Sequence, residues 1–204
     1  MTSASSWTER YAAAAMVWDT TPNPHVVAVC RRLRPGTALD LGAGEGRDAL
    51  WLAGRGWQVT AVDVDTLSVG RIQGRSALLN HPVNAIVADA LTYKPKPAAF
   101  DLILLCHLEL PQAQLHRVLS NAAPALAEGG RLVVIAHDSS NLDAGWGGPQ
   151  NPDLLTTPEA VAAMLTELGL VVRRAEVVRR EVPHTVGLRI ALDHIVEAVR
   201  PEAA

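Results

Sequence analysis

From residue 37 onward the chain alternates two patterns: short unbroken apolar runs, and stretches whose apolar residues recur at three- and four-residue spacing. The first pattern predicts strands buried on both faces, the second helices packed over them. Thr37 to Leu41 is such a strand, running into Gly42-Ala43-Gly44-Glu45-Gly46. Ala49, Leu50, Leu52 and Ala53 mark the buried side of the next helix, which stops at Gly54–Gly56. Gln58 to Val62 is a strand, 66–80 a helix, Val83 to Ala88 a strand and Phe100 to Leu105 a fourth. Pro111 to Ala127 is a helix, and after Gly129-Gly130 the run Leu132 to Ala136 is a fifth strand. Strands alternating with helices predict a parallel sheet with right-handed crossovers.

The two ends break this pattern. Residues 7–18 predict a short helix. A second begins after Pro24, with Val26, Val27, Val29, Cys30 and Leu33 as its apolar side, and Pro35-Gly36 ends it. Near the other end, 158–168 is helical with Thr157 as N-cap. Leu170 to Val182 and Val186 to Val199 follow, with only Pro183-His184-Thr185 between them. So short a link holds no crossover helix, so the two predict an antiparallel pair at one side of the sheet. Leu188, Leu192, Ile195 and Val199 also fit a helix; the need of the preceding strand for a partner favours strand.

Composition narrows the function classes. The 204 residues are 49% hydrophobic and 19% charged, a core-rich balance fitting one large domain. A net charge of −3 gives no general attraction for a polyanion, and the arginines form no basic stripe with interleaved aromatics. Cys30 and Cys106 lie far apart, which excludes a disulfide scaffold and a zinc ribbon, and no metal is implied. The early apolar stretch lacks a basic flank and a cleavage site, and no run approaches bilayer-spanning length. These features predict a cytoplasmic protein with no nucleic-acid or membrane partner.

The candidate chemistry begins at the glycine loop. A strand ending in glycines that open a helix lets a ligand approach the backbone. Asp63 stands at the end of the second strand, 19 residues beyond Gly44, where a carboxylate can accept from both ribose hydroxyls. A dinucleotide fingerprint would be G-x-G-x-x-G, but here the third glycine is Gly46 and Arg47 stands where that glycine would fall. No G-K-S/T follows, so a P-loop is excluded. The alternative, that the glycines serve only a tight turn, does not account for Asp63.

Ala38-Leu-Asp-Leu-Gly-Ala-Gly-Glu-Gly-Arg47 with Val62-Asp63-Val64 resembles the class I S-adenosylmethionine-dependent methyltransferases, and most nearly their small bacterial branch of tellurite-resistance and thiopurine methyltransferases. Trp18-Asp19-Thr20-Thr21-Pro22-Asn23, Asp89-Ala90, Phe100-Asp101-Leu102-Ile103 and the Glu128-Gly129-Gly130 turn match as well. The resemblance implies an α/β fold: a Rossmann-like seven-stranded, mostly parallel sheet with an antiparallel C-terminal strand and helices on both faces. It implies one domain over 1–204, with 1–35 as a helical cap and 36–204 as the core. The implied cofactor is S-adenosyl-L-methionine. Asp40 and the backbone of Gly42, Ala43, Gly44 and Gly46 would face its methionine part, and Asp63 its ribose. Val64 would pack on adenine, with Asp89 and the backbone of Ala90 on its polar edge. Cys106 would lie near the sulfonium and Trp18 belongs to the matching upstream motif. Arg47 either meets the cofactor carboxylate or is an ordinary solvated first-turn arginine.

The acceptor side is less marked. Ligands of open α/β sheets sit beyond the carboxyl ends of the strands, which selects His107, Glu109, His137 and Asp138. His107 directly follows the fourth strand and serves as base or as pocket residue. His25, His81, His116, His184 and His194 have no comparable placement and read as ordinary surface or packing residues. Trp7, Tyr11 and Trp18 make the N-terminal segment a candidate lid, and Ser139 to Thr157, aperiodic and containing Trp146, a second one. No Asn/Asp-Pro-Pro-Tyr/Phe/Trp follows the fourth strand and no Pro-Cys pair is present, which speaks against nucleic acid; by analogy with the families it resembles, the implied acceptor is a small molecule, a thiol, hydroxyl, amine or chalcogen oxyanion. The rivals are a catalytically silent cofactor-binding regulatory protein and a nicotinamide-dependent oxidoreductase. A monomer or a homodimer fits equally.

Overall fold

The computed structural model describes residues 12–13 and 20–202. The described elements are α1 (Pro24–Cys30), β1 (Thr37–Leu41), α2 (Arg47–Gly54), β2 (Gln58–Asp63), α3 (Thr66–Leu79), β3 (Val83–Val87), β4 (Phe100–Cys106), α4 (Gln112–Ala122), β5 (Leu126–His137), α5 (Asn141–Ala144), α6 (Pro158–Glu167), β6 (Val171–His184) and β7 (Gly187–Val199). They build one seven-stranded sheet in the order β3-β2-β1-β4-β5-β7-β6. The strands β1 to β5 pair in parallel, while β7 runs antiparallel to both β5 and β6. The expected sheet and its antiparallel hairpin are both present, and the last segment is a strand.

Side chains on successive strand residues point to opposite faces, and the interior is divided accordingly. Leu39, Leu41, Ile103, Leu105, Leu132 and Val134 enter one core with α4 (Leu115, Val118, Leu119) and α6 (Val161, Met164, Leu165). Ala38, Leu102, Leu104, Val133 and Ile135 enter the other, with α1 (Val26, Cys30), α2 (Ala49, Leu52) and α3 (Ile72). A sheet covered on both faces needs apolar residues at every position, so β4 and β5 read as continuous apolar runs rather than alternating ones.

Caps set several boundaries. Asn23 caps α1 by accepting from the His25 amide, Asp65 caps α3 at Ser68, and Thr157 caps α6 at Ala160. Three boundaries differ from expectation. The helix begun after Pro24 ends at Cys30, short of Leu33. The helix α4 ends at Ala122, where Ala123–Ala125 forms a 3-10 turn around Pro124, whose ring cannot continue an α-helix. The chain therefore enters β5 early, at Leu126 opposite Phe100, and Glu128-Gly129-Gly130 lies within the strand as a register shift. The 139–157 segment is also less irregular than its sequence suggests, for it contains α5 and a 3-10 turn at Pro152–Leu154. The expected helix over 7–18 falls almost wholly outside the described residues. Among those described, no helix is long and apolar enough to cross a membrane.

Candidate active site

The loop between β1 and α2 is tied to the neighbouring strand by its own amides. Gly42 and Ala43 both donate to the Val62 carbonyl, at 2.8 and 3.0 Å, and Gly44 donates to Asp63 Oδ2 at 2.7 Å. Asp63 Oδ1 accepts from the Asp65 amide and the Ser68 hydroxyl. Gly42, Gly44 and Gly46 all hold left-handed φ angles, which a β-carbon would strain. At Gly42 a Cβ would also meet Leu108, and at Gly46 it would meet Ile72. The loop is thus a fixed turn at the carboxyl edge of the sheet, half-buried at Gly42 and Ala43 and buried at Gly44 and Gly46.

This turn is ringed by acid. Asp40, Asp48 and Asp63 are all buried, at 2%, 5% and 8% exposure. Burial, reinforced by Asp48 and Asp63, pushes the Asp40 carboxyl well above the usual carboxylate range. Burial also raises Asp63, against the opposing hydrogen bonds from Asp65, Gly44 and Ser68. Arg47 is turned inward, its Nε 3.5 Å from Asp48 Oδ2, and it interacts with the Cys106 thiol, which burial raises well above its ordinary value. The arginine is therefore not a solvated first-turn residue. Asp89 turns its own carboxylate onto the Leu91 amide, while the Ala88 amide ties the end of β3 to the Asp63 carbonyl. Val64 is exposed beside Asp63, and Ala90 packs against the first core. Trp18 lies outside the described residues, as do Trp7 and Tyr11.

Beyond β4 a second polar group assembles. His107 sits at φ +56°, its amide bonded to the Ile135 carbonyl at 2.7 Å. Its Nδ1 lies 3.3 Å from Glu109 Oε1, and its Nε2 lies 3.1 Å from the Asn23 amide nitrogen. Asn23 Oδ1 is already occupied by the His25 amide, so the nitrogen faces His107 and donates. That leaves the His107 proton on Nδ1, given to Glu109. His137 repeats the arrangement: Nδ1 is 2.8 Å from the same Glu109 oxygen, and Nε2 is 3.2 Å from Arg180. Burial alone would push the Glu109 carboxyl up; hydrogen bonds from both histidines and their charge outweigh it and bring it down to about 2. Asp193, fully buried, holds Arg180 through two contacts of 2.6 and 3.2 Å.

His107, Glu109 and His137 are therefore brought together. Asp138 is not: its carboxylate turns back on the Ser140 amide, holding the start of the 139–157 segment. Sequence reasoning missed Asn23, Arg180 and Asp193, and it set aside His25 and His194, which the structure places at or beside this group. His25 Nε2 is buried without a hydrogen-bond partner, 3.8 Å from Asp193; His194 is fully buried and bonded to Thr156. Pairing of β5 with β7 sets His137 opposite Asp193, a relationship no linear spacing signals.

Residues 38–130 match the family model described as a methyltransferase domain. Uncharacterized methyltransferases of Mycobacterium tuberculosis and Mycobacterium bovis are 35% identical over 111 residues, which is 52% of this chain and 53% of theirs. The chain thus spans about half the length of the curated relatives it matches. Among solved structures, one described for the conversion of a disulfide bond into a thioacetal group during echinomycin biosynthesis has a TM-score of 0.76 at 21% identity, covering 92% of this chain and 85% of that one. TehB from Haemophilus influenzae scores 0.71 at 18% identity, covering 96% and 66%. A SAM-dependent methyltransferase from Methanosarcina mazei scores 0.70 at 15%, covering 90% and 100%.

Proposed function

We propose that the chain is a class I S-adenosylmethionine-dependent methyltransferase and that it transfers a methyl group from S-adenosyl-L-methionine to a small-molecule acceptor bound beyond β4 and β5; the match of residues 38–130 to a methyltransferase domain supports this reading. The observation that carries this reading is the ring of buried carboxylates, Asp40, Asp48 and Asp63, around a fixed glycine turn. A pyrophosphate would meet repulsion there, whereas a sulfonium and an ammonium are attracted. The donor set fits the group. Asp40 suits the ammonium and Arg47 the carboxylate of an amino-acid end, Asp63 a ribose diol, and Val64 with Asp89 and Ala90 an adenine. Gly42, Ala43, Gly44 and Gly46 present backbone alone, and Cys106 closes the floor beside Arg47.

When bound, the cofactor supplies a methyl already activated on a positive sulfur, ready for in-line displacement. The protein's part is to align an acceptor and exclude water. Both ring nitrogens of His107 are engaged in the structure, so its role is to shape the acceptor side. The base role becomes available only when Asn23 withdraws from Nε2. Without a basic stripe, the acceptor is a small thiol, hydroxyl, amine or chalcogen oxyanion.

Calorimetry with S-adenosylhomocysteine and with NADH tests the cofactor, and a panel of thiols, phenols and amines tests turnover. Binding of S-adenosylhomocysteine with formation of methylated acceptor is expected. Affinity for NADH and none for adenosylhomocysteine would end the reading; binding without turnover of any acceptor would favour a silent cofactor-binding protein.

A further inference from the structure

One carboxylate oxygen and two imidazole nitrogens converge behind the acceptor side. Glu109 Oε1 lies 3.3 Å from His107 Nδ1 and 2.8 Å from His137 Nδ1, and all three atoms fall within 4.8 Å of one another. With bonds of about 2.0–2.2 Å to a shared ion, ligand atoms sit about 3–3.5 Å apart, so these spacings are those of donors on one metal. We propose that His107 Nδ1, His137 Nδ1 and Glu109 Oε1 bind one divalent transition ion of intermediate softness, of the zinc, cobalt or iron(II) kind.

Four features support the site. The His137 backbone amide also donates to Glu109 Oε1, at 3.2 Å, so three donors crowd an oxygen that offers about two lone-pair directions. One cation in place of the two ring protons relieves that excess. A carboxylate also lies near the outer nitrogen of each ring. His107 Nε2 is 3.7 Å from Asp193 Oδ2 and His137 Nε2 is 3.9 Å from Asp193 Oδ1. Metallation at Nδ1 moves each ring proton to Nε2, so the Asn23 and Arg180 donors that now face Nε2 turn aside and Asp193 closes in to accept, the usual outer-shell arrangement of a metal-bound histidine.

The charge balance favours a cation as well. With both imidazoles neutral, as metal binding requires, Glu109 and Asp193 bring two negative charges and Arg180 one positive, leaving a net negative pocket for an ion. Finally, His107 holds a left-handed backbone that is costly for a residue with a β-carbon, a strain that places its ring against Glu109. Two nitrogens and a single carboxylate disfavour magnesium and calcium, which take oxygen donors. Three protein donors leave coordination positions open, as in reactive rather than structural sites.

The inference does not depend on methyl transfer, because ion binding is read without turnover. Full-length chain stripped with a chelator is titrated with cobalt(II), followed by visible absorption, and with zinc(II), followed by calorimetry. One ion per chain with micromolar or tighter affinity is expected. Glu109→Gln and His137→Gln each should weaken it tenfold or more, while His116→Gln on the exposed side of α4 leaves it unchanged. Denaturant unfolding of the metal-free variants checks that they fold; Glu109→Asp, which keeps the charge but shortens the reach, replaces one that does not. Absence of saturable binding by either ion, or undiminished binding in both site variants, overturns the site. Adenosylhomocysteine affinity measured on the same samples separates this outcome from failure of the methyltransferase reading.

Discussion

Asn23 and His107 stand 84 positions apart in the chain, yet the Asn23 amide nitrogen lies 3.1 Å from His107 Nε2. The contact makes the segment before β1 part of the acceptor side. Asn23 is held in turn by α2, its backbone amide donating to Asp48 Oδ1 at 2.7 Å. A single residue thus links the loop expected to hold the cofactor with the histidine expected to face the acceptor.

That contact sets the imidazole tautomer. In the native chain, prepared free of metal, His107 should carry its proton on Nδ1. Asn23→Asp keeps the helix cap, which accepts from the His25 amide, but replaces the donor facing Nε2 with an acceptor. The ring proton should then move to Nε2, read by nitrogen-15 NMR of the histidine side chains. An unchanged tautomer would show that Glu109, not Asn23, decides it.

Asp63 bridges Gly44 and Ser68 as well as being the expected ribose partner. Asp63→Ala should weaken adenosylhomocysteine binding about 10- to 100-fold, the loss of about 1.5–3 kcal/mol of hydrogen bonding to a charged acceptor. Calorimetric titration measures it. Retained tight binding would remove Asp63 from the ribose.

Asp40 carries a raised value in the free protein, so it keeps a proton over a pH range where an ordinary aspartate has lost it. An ammonium bound beside it favours the charged form. Cofactor-product binding should therefore release protons, seen as a binding enthalpy that varies with the ionisation enthalpy of the buffer. Asp40→Asn should abolish that dependence.

Glu109 has a folded-state value lowered to about 2 from an ordinary 4.5. An acid lowered in this way stabilises the fold fully above its unfolded value, and loses the contribution as pH falls from about 4.5 toward 2. The difference in unfolding free energy between native protein and Glu109→Gln, on the order of 3 kcal/mol at neutral pH, should shrink steadily between pH 5 and about 3. Denaturant unfolding across that range measures it.

His194 and His25 shift the other way in charge. Burial is the main cause lowering both below 6.5, partly opposed by Asp138 for His194 and by Asp193 for His25. The unfolded chain then binds protons that the folded chain refuses, so stability is full above about pH 6.5 and falls as pH drops below it. Melting temperature should decline between pH 7 and 5. His194→Gln, which can still reach the Thr156 hydroxyl, should flatten that decline.

Much of this was legible in the linear chain. Alternating strand and helix patterns give the parallel core, because a sheet covered on both faces demands unbroken apolar runs. The Gly44 to Asp63 spacing gives the cofactor side, because both ends of that relationship lie within one strand–helix–strand unit. The acceptor side was only half legible. His107 and Glu109 closely follow β4 and His137 ends β5, and the rule of strand ends finds them. Their partners do not, since Arg180 and Asp193 lie in the middle of β6 and β7.

The sequence by itself determined the layers, the glycine turn and its acid, since these depend on local patterning and contacts between consecutive elements. Tertiary structure alone decided what surrounds His107. The antiparallel return of β7 between β5 and β6 sets Asp193 directly opposite His137 and brings Arg180 to the same carboxylate. The register of that return is fixed by which apolar residues of β7 meet the two cores, and a side chain's polar neighbours follow from that packing rather than from their distance along the chain.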